Sequence, residues 1–154
     1  MSMKIMILVR KAIHSDAEYI AKNLRKADRL EFYRVSGENN ALGAIRYGLD
    51  APYSVSYCFE VEGEPIALVG CIELSDYKLV WACGTDEIAR YGKSFVMETK
   101  RLLASHKSKW KPYINYVDCE NTNAVNYLRR VGFELLDPIP YGKLGEKFYP
   151  FIMG

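Results

Sequence analysis

The chain has 154 residues, enough for one ordinary folding unit and too few for two. Hydrophobic residues make up 49% and charged residues 26%, which excludes a disordered chain. The net charge of +2 is too small to argue for a nucleic-acid partner, and no apolar run approaches the ~20 residues that a membrane span needs.

The opening M-S-M-K-I-M-I-L-V-R-K carries a short apolar stretch after Lys4 that ends in charge. It is too short for a signal-peptide core, so residues 5–12 are expected to form a first strand. Ser15 and Glu18 have the spacing of a capping box, and Ala17, Ile20, Ala21 and Leu24 share the face of the helix it would open. The following residues give no clear signal until a short helix at 40–49, ahead of Asp50-Ala51-Pro52. Residues 53–61 and 66–74 read as strands joined by the turn Glu62-Gly63-Glu64-Pro65, hence a hairpin. Ser75-Asp76-Tyr77-Lys78 turns into a third strand at 79–83.

A long helix follows, with Ile88, Phe95, Thr99, Leu102, Leu103 and His106 on one face. Lys100, Arg101, Lys107 and Lys109 crowd its last turns, where cations suit the helix dipole. Residues 113–117 form a strand. Within N-T-N-A-V-N-Y-L-R-R-V-G-F, residues 121–133, Ala124, Tyr127, Leu128 and Val131 keep helical spacing. Asn121 or Thr122 can cap that helix, and Gly132 sits where a helix end favours a left-handed residue. Residues 133–136 and 147–152 are expected to close the sheet as a hairpin around a long loop, 137–145. The whole reads as a single α+β domain, 1–154, with a sheet covered on both faces.

Four cysteines, Cys58, Cys71, Cys83 and Cys119, show no metal-binding pairs, and three lie in apolar runs where a thiol behaves as a small hydrophobe. Reduced thiols fit a cytosolic protein. With only His14 and His106 available, no metal site suggests itself. The twelve tyrosines could pack a core, line a groove or sit in an interface.

Residues 121–133 resemble the C-terminal motif of the GNAT superfamily of N-acetyltransferases, Asn-x-x-Ala-x-x-x-Tyr-x-x-x-Gly-Phe. Asn121, Ala124, Gly132 and Phe133 match, and Leu128 stands at the Tyr position. The join V-R-K-A-x-x-S-D-A-E-x-I resembles the superfamily's N-terminus, and the order of elements matches along almost the whole chain. The resemblance implies the GNAT fold, a mixed sheet of about six to seven strands with helices on both faces. It also implies that the strand before the long helix splays from the next strand, and that acetyl-CoA enters the gap. The pyrophosphate would lie on backbone N–H groups at the start of the long helix.

The superfamily's loop pattern there is Gln/Arg-x-x-Gly-x-Gly/Ala. Gly92 and Ser94 fit it, while Ala89 takes the first position and Arg90 is one place off. Two readings follow. In one, the amides of Tyr91, Gly92, Lys93 and Ser94 hold the pyrophosphate, with Arg90 or Lys93 adding charge. In the other, the helix starts at Thr85-Asp86, where Asp86 and Glu87 suit a helix N-terminus and repel phosphate, and Gly92 is a small residue at a helix crossing. A nucleotide-binding P-loop is excluded, because the position that needs its first Gly holds Glu87.

Acetyl transfer requires that the amine lose a proton, the thioester oxygen be stabilised and the departing thiolate be protonated. In many superfamily members the motif Tyr gives that last proton. Leu128 cannot, and the adjacent Tyr127 is turned by ~100°, which suits packing. Cys83 or a water is left for the step. Glu60, Glu73 and Asp76 lie near strand ends as candidate bases, each also at home as a solvated carboxylate. The expected catalytic set is Asn121, Glu73 and Cys83. The expected acetyl-CoA set is Arg90, Tyr91, Gly92, Lys93, Ser94 and Asn121, Asn121 having a helix-capping role as well.

Trp81, Thr85-Asp86, Gly92-Lys93, a basic long helix, Tyr116-Val117, Asn121-Thr122 and Leu128 before Gly132 are similar to the acetyltransferase-like internal virion protein family of short-tailed coliphages, mainly over residues 60–135. That resemblance implies a phage protein with a degenerate acetyl-CoA site. It would act in virion assembly or infection through contacts with virion or host proteins, in the host cytoplasm or with the particle, and a homodimer stays open. The alternative is an active acetyl-CoA-dependent N-acetyltransferase that modifies a host protein, peptide or small amine, with a counter-defence role. A third reading is a module that uses a CoA-like ligand structurally.

Overall fold

Glu62 and Gly63 both take left-handed backbone angles, φ 51 and 83, the geometry that lets a two-residue turn match the twist of its flanking strands. They fold β2 (Ser54–Val61) onto β3 (Glu64–Glu73), and β4 (Lys78–Gly84) continues the antiparallel meander. The computed structural model describes residues 6–154. β1 (Leu8–Lys11) pairs with the outer edge of β2. After β4 comes a 3-10 turn, Asp86–Tyr91, then α4 (Gly92–Ser105), which returns the chain to β5 (Tyr113–Asp118), parallel to β4. α5 (Thr122–Val131) leads into β6 (Glu134–Leu135), β7 (Ile139–Tyr141) and β8 (Glu146–Met153). The result is an eight-stranded mixed sheet in the order β1-β2-β3-β4-β5-β8-β6, with β7 also on β8.

The helices α1 (His14–Lys22), α2 (Lys26–Ser36) and α3 (Ala41–Asp50) cover one face. Ala17, Ile20 and Ile45 pack there on Cys58, Leu68 and Cys83. α4 and α5 cover the other, where Val96, Leu103, Val125 and Leu128 meet Val80 and Val117. β3 is buried along nearly its whole length because it is covered on both sides. No described helix is long and apolar enough to cross a membrane, and among the described residues no His, Cys, Asp or Glu group is placed to hold a metal ion.

Several boundaries differ from expectation. The first strand is Leu8–Lys11, and Ile5 lies outside the described residues. Ser15 and Glu18 do not form the capping box, because α1 starts earlier, at His14. Asp16 takes the part instead, accepting from the Ile13 N–H at 2.8 Å while its carboxylate holds Arg10 at 2.7 Å. α2 had no counterpart in the expected elements. The expected loop at 137–145 contains β7, and its tip crosses to α2, where Lys143 N–H donates to the Val35 carbonyl at 2.9 Å. α3 and α5 begin as expected, capped by Asn40 and Asn121.

A candidate active site in the split sheet

β4 and β5 pair only at Lys78–Tyr113 and Leu79–Ile114. Asn115 then reaches across, its Nδ2 donating to the Val80 carbonyl at 2.7 Å. Beyond that bridge the two strands part, and a cavity of about 580 Å³ occupies the gap, within the range of small-molecule sites. Its lining comes from both faces of the sheet: Phe95, Val96 and Leu128 from α4 and α5, Phe32 and Tyr47 from α2 and α3. The cavity therefore passes through the sheet rather than resting on it.

The α4 side of the gap has open polar groups. Thr85 caps the 3-10 turn, its Oγ1 accepting from Glu87 N–H at 3.3 Å, and that turn ends at Tyr91. A new helix starts at Gly92 with no side chain capping it, so its first amides have no i−4 partners within α4. Helical winding starts at Asp86, as the second reading expects, but the α-helix itself starts only at Gly92. Gly92 is not wedged at a helix crossing: a Cβ there would meet only Arg130 Nη1, at 3.7 Å. Its φ of −51 suits any residue, so its smallness serves space, not conformation. Gly92 and Arg130 line the same cavity, and Arg130 makes no ion pair among the described residues. Lys93 and Ser94 are exposed. Arg90 is 72% exposed and pairs with Glu87 at 3.5 Å, while Tyr91 packs against the Phe59 and Phe95 cluster. An uncapped helix start, a free guanidinium across from it and a cavity running inward between strands fit a pyrophosphate on a long thin arm.

The far side is a closed polar network carried by α2. Arg25, Asp28 and Glu31 repeat every three residues and face the gap. Asp28 is buried and spans the split. Its carboxylate accepts from Arg25 at 2.9 Å, from the Gly84 N–H at the end of β4 at 3.0 Å, and from Asn121 Nδ2 at 3.0 Å. Asn121 is also buried, and its Oδ1 accepts from the Ala124 N–H at 3.4 Å, capping α5. Arg34 closes on Asp118 at 3.1 Å and on Glu120 at 2.6 Å. Glu31 accepts from the Asp118 N–H at 2.8 Å and has no guanidinium partner among the described residues. Burial, with Asp28 and Asp118 nearby, pushes its carboxyl up to about 7.

The residues named from sequence scatter around this site. Asn121 sits in the network. Cys83 lines the cavity beside it, its thiol held well above the ordinary value first by burial and then by Asp28. Glu73 lies elsewhere, at the paired end of β4, where Lys111 binds it at 3.0 Å and holds its carboxyl below the usual range. Glu60 is engaged by Arg10 at 3.2 Å, and Asp76 is exposed in the β3–β4 turn. Neither lines the cavity. Tyr127 stacks on Phe95 at 4.7 Å, and its hydroxyl is bound to Thr99 Oγ1 at 2.7 Å. Asp28 and Glu31 escaped the sequence reading. The signal available was the three-residue spacing of Arg25, Asp28 and Glu31.

The whole chain is similar to several solved structures. An aminoglycoside N(6')acetyltransferase from Legionella pneumophila matches with a TM-score of 0.71 at 14% identity, over 98% of this chain and 93% of that chain. Spermidine N-acetyltransferase from Vibrio cholerae matches with a TM-score of 0.68 at 14% identity, over 96% and 95%. A GNAT-family acetyltransferase from Bacillus cereus matches with a TM-score of 0.65 at 14% identity, over 96% of each chain. At such identities the likeness establishes the α+β GNAT fold and nothing finer. No family model and no curated protein matches the chain.

Proposed function

We propose that this chain is an acetyl-CoA-dependent N-acetyltransferase. The observation that carries the reading is the cavity through the split sheet, which joins an uncapped helix start on one face to the Glu31 carboxyl on the other. The similar solved structures described as N-acetyltransferases agree with it. Acetyl-CoA supplies an acetyl group on a thioester, and the new C–N bond replaces the C–S bond. The α4 amides from Gly92 onward and Arg130 bind its pyrophosphate. Glu31, half-ionised near pH 7, takes a proton from the incoming ammonium. Of the two protons the ammonium gives up, one leaves through Glu31 to solvent and the other ends on the CoA sulfur. Cys83, its thiol raised by burial, is a poor acid, and the second proton reaches the sulfur from the amine by relay through solvent. Asn121 positions Asp28 and Glu31 rather than reacting.

Release of CoA thiol, followed across pH with a panel of amines, tests this. The rate is expected to rise with pH through about 7 in the wild type, and Glu31→Gln is expected to remove that limb with a loss of about 100-fold. No thiol release with any amine, or an unchanged pH profile in the variant, would overturn it. The virion-protein reading rests on the sequence resemblance alone. It becomes the stronger one if acetyl-CoA does not bind and the protein co-purifies with particles.

A further inference from the structure

The α2–α3 side of the cavity has a chemistry of its own. Phe32, Tyr47, Trp81, Tyr116 and Tyr141 line it. Tyr116 and Tyr141 stack at 4.0 Å and 14°, presenting a flat wall. Trp81 lies flat because two small residues make room for it: a Cβ at Gly48 or Gly70 would come within 2.8 or 2.4 Å of its ring. Tyr47 stands 71% exposed on α3 at the edge of the cavity, an aromatic ring with most of its surface uncovered.

The charges on this side are already spent, with one exception. Arg25 is closed on Asp28, and Arg34 on Asp118 and Glu120. A ligand carboxylate or phosphate would find no free guanidinium here. One carboxyl of α2, Glu31, has no cationic partner among the described residues, so one ammonium can be matched on this side; the other unpaired carboxyl of the lining, Asp86, opens the 3-10 turn ahead of α4. Aromatic faces attract a cation and bury an apolar body beside it.

We propose that the acceptor is a small monoamine with a flat apolar body and no carboxylate or phosphate of its own. The proposal rests on the acetyltransferase reading and narrows it. Glu31 meets the ammonium, the Tyr116–Tyr141 wall and Trp81 hold the body, and Tyr47 covers it from α3.

The test compares 2-phenylethylamine, phenylalanine, spermidine and a lysine-containing peptide as acceptors in the thiol-release assay, with acetyl-CoA binding measured separately by calorimetry. 2-Phenylethylamine is expected to exceed phenylalanine in kcat/KM by about 100-fold or more, because the added carboxylate is buried unpaired. It is also expected to exceed spermidine and the peptide. Tyr47→Ala, at an exposed position that leaves folding intact, is expected to raise KM for 2-phenylethylamine about tenfold. Its kcat and its KM for acetyl-CoA are expected to hold, a split that a general loss of structure would not give. Acetyl-CoA binding together with a preference for phenylalanine, spermidine or the peptide overturns the acceptor class and leaves the acetyltransferase reading standing. Absence of acetyl-CoA binding overturns both.

Discussion

On the α2 side of the gap, Asp28 accepts hydrogen bonds from Arg25, Gly84 and Asn121 together, and Arg34 is shared between Asp118 and Glu120. On the α4 side, the first turn of α4 is uncapped, and Arg130 and Lys93 extend without ion-pair partners among the described residues. Both regions are polar and both line or border the same cavity. One is closed on itself; the other is open. Buried polar groups that are fully partnered hold a fold together, and removing one partner costs more than the bond was worth. Exposed, unpartnered amides and cations contribute little to folding and are free to meet an anion. The same kind of substitution should therefore read out as stability on one side and as affinity on the other.

Asp28→Ala is expected to have the largest effect. It leaves the Arg25 guanidinium, the Gly84 N–H and the Asn121 amide without their shared acceptor, a loss of about 3–5 kcal/mol in a denaturant titration. A loss below ~1 kcal/mol would mean that the network is decoration. Gly92→Glu comes next and belongs to the open side. Acetyl-CoA affinity is expected to fall at least ~100-fold, about 3 kcal/mol, with the melting temperature nearly unchanged, since an acidic residue suits a helix start.

Glu31 couples the two readouts. Its carboxyl titrates at about 7 in the native protein against the ordinary 4.5. A raised pKa gives stability that is fully present below about 4.5 and lost as pH climbs through about 7. Glu31→Gln stays neutral throughout and keeps an oxygen for the Asp118 N–H. It is therefore expected to gain ~1–3 kcal/mol over the wild type at pH 8 but little at pH 4, a difference thermal scans at the two pH values would show, even as acetyl transfer is lost. Arg130→Ala should be the mildest: about a tenfold loss in acetyl-CoA affinity that shrinks as salt is added, with no change in stability.

How far the sequence disclosed this site follows from what each element buries. α5 was legible because Asn121 and Gly132 mark its ends and its buried face is apolar. The β2–β3 hairpin was legible because Glu62-Gly63 is turn chemistry. α2 was not, because the face it turns to the gap carries Arg25, Asp28 and Glu31, and Asp28 is its buried residue, so the apolar period that betrays a helix is missing. The general base was sought among carboxylates at strand ends, such as Glu73. Glu31 reaches Asn121 across 90 residues of sequence, a proximity that only the packing of α2 over the gap creates. The start of α4 was half legible. Thr85-Asp86 does begin helical winding, but the 3-10 geometry that ends it at Tyr91 and leaves α4 to start anew at Gly92 leaves no mark in residue type.

Calorimetric titration of the wild-type protein with acetyl-CoA bears most directly on the open side of the gap. Micromolar binding at one site per chain, abolished by Gly92→Glu, is the expected result. No heat of binding at millimolar ligand would contradict the acetyltransferase account and leave the uncapped α4 start without a ligand.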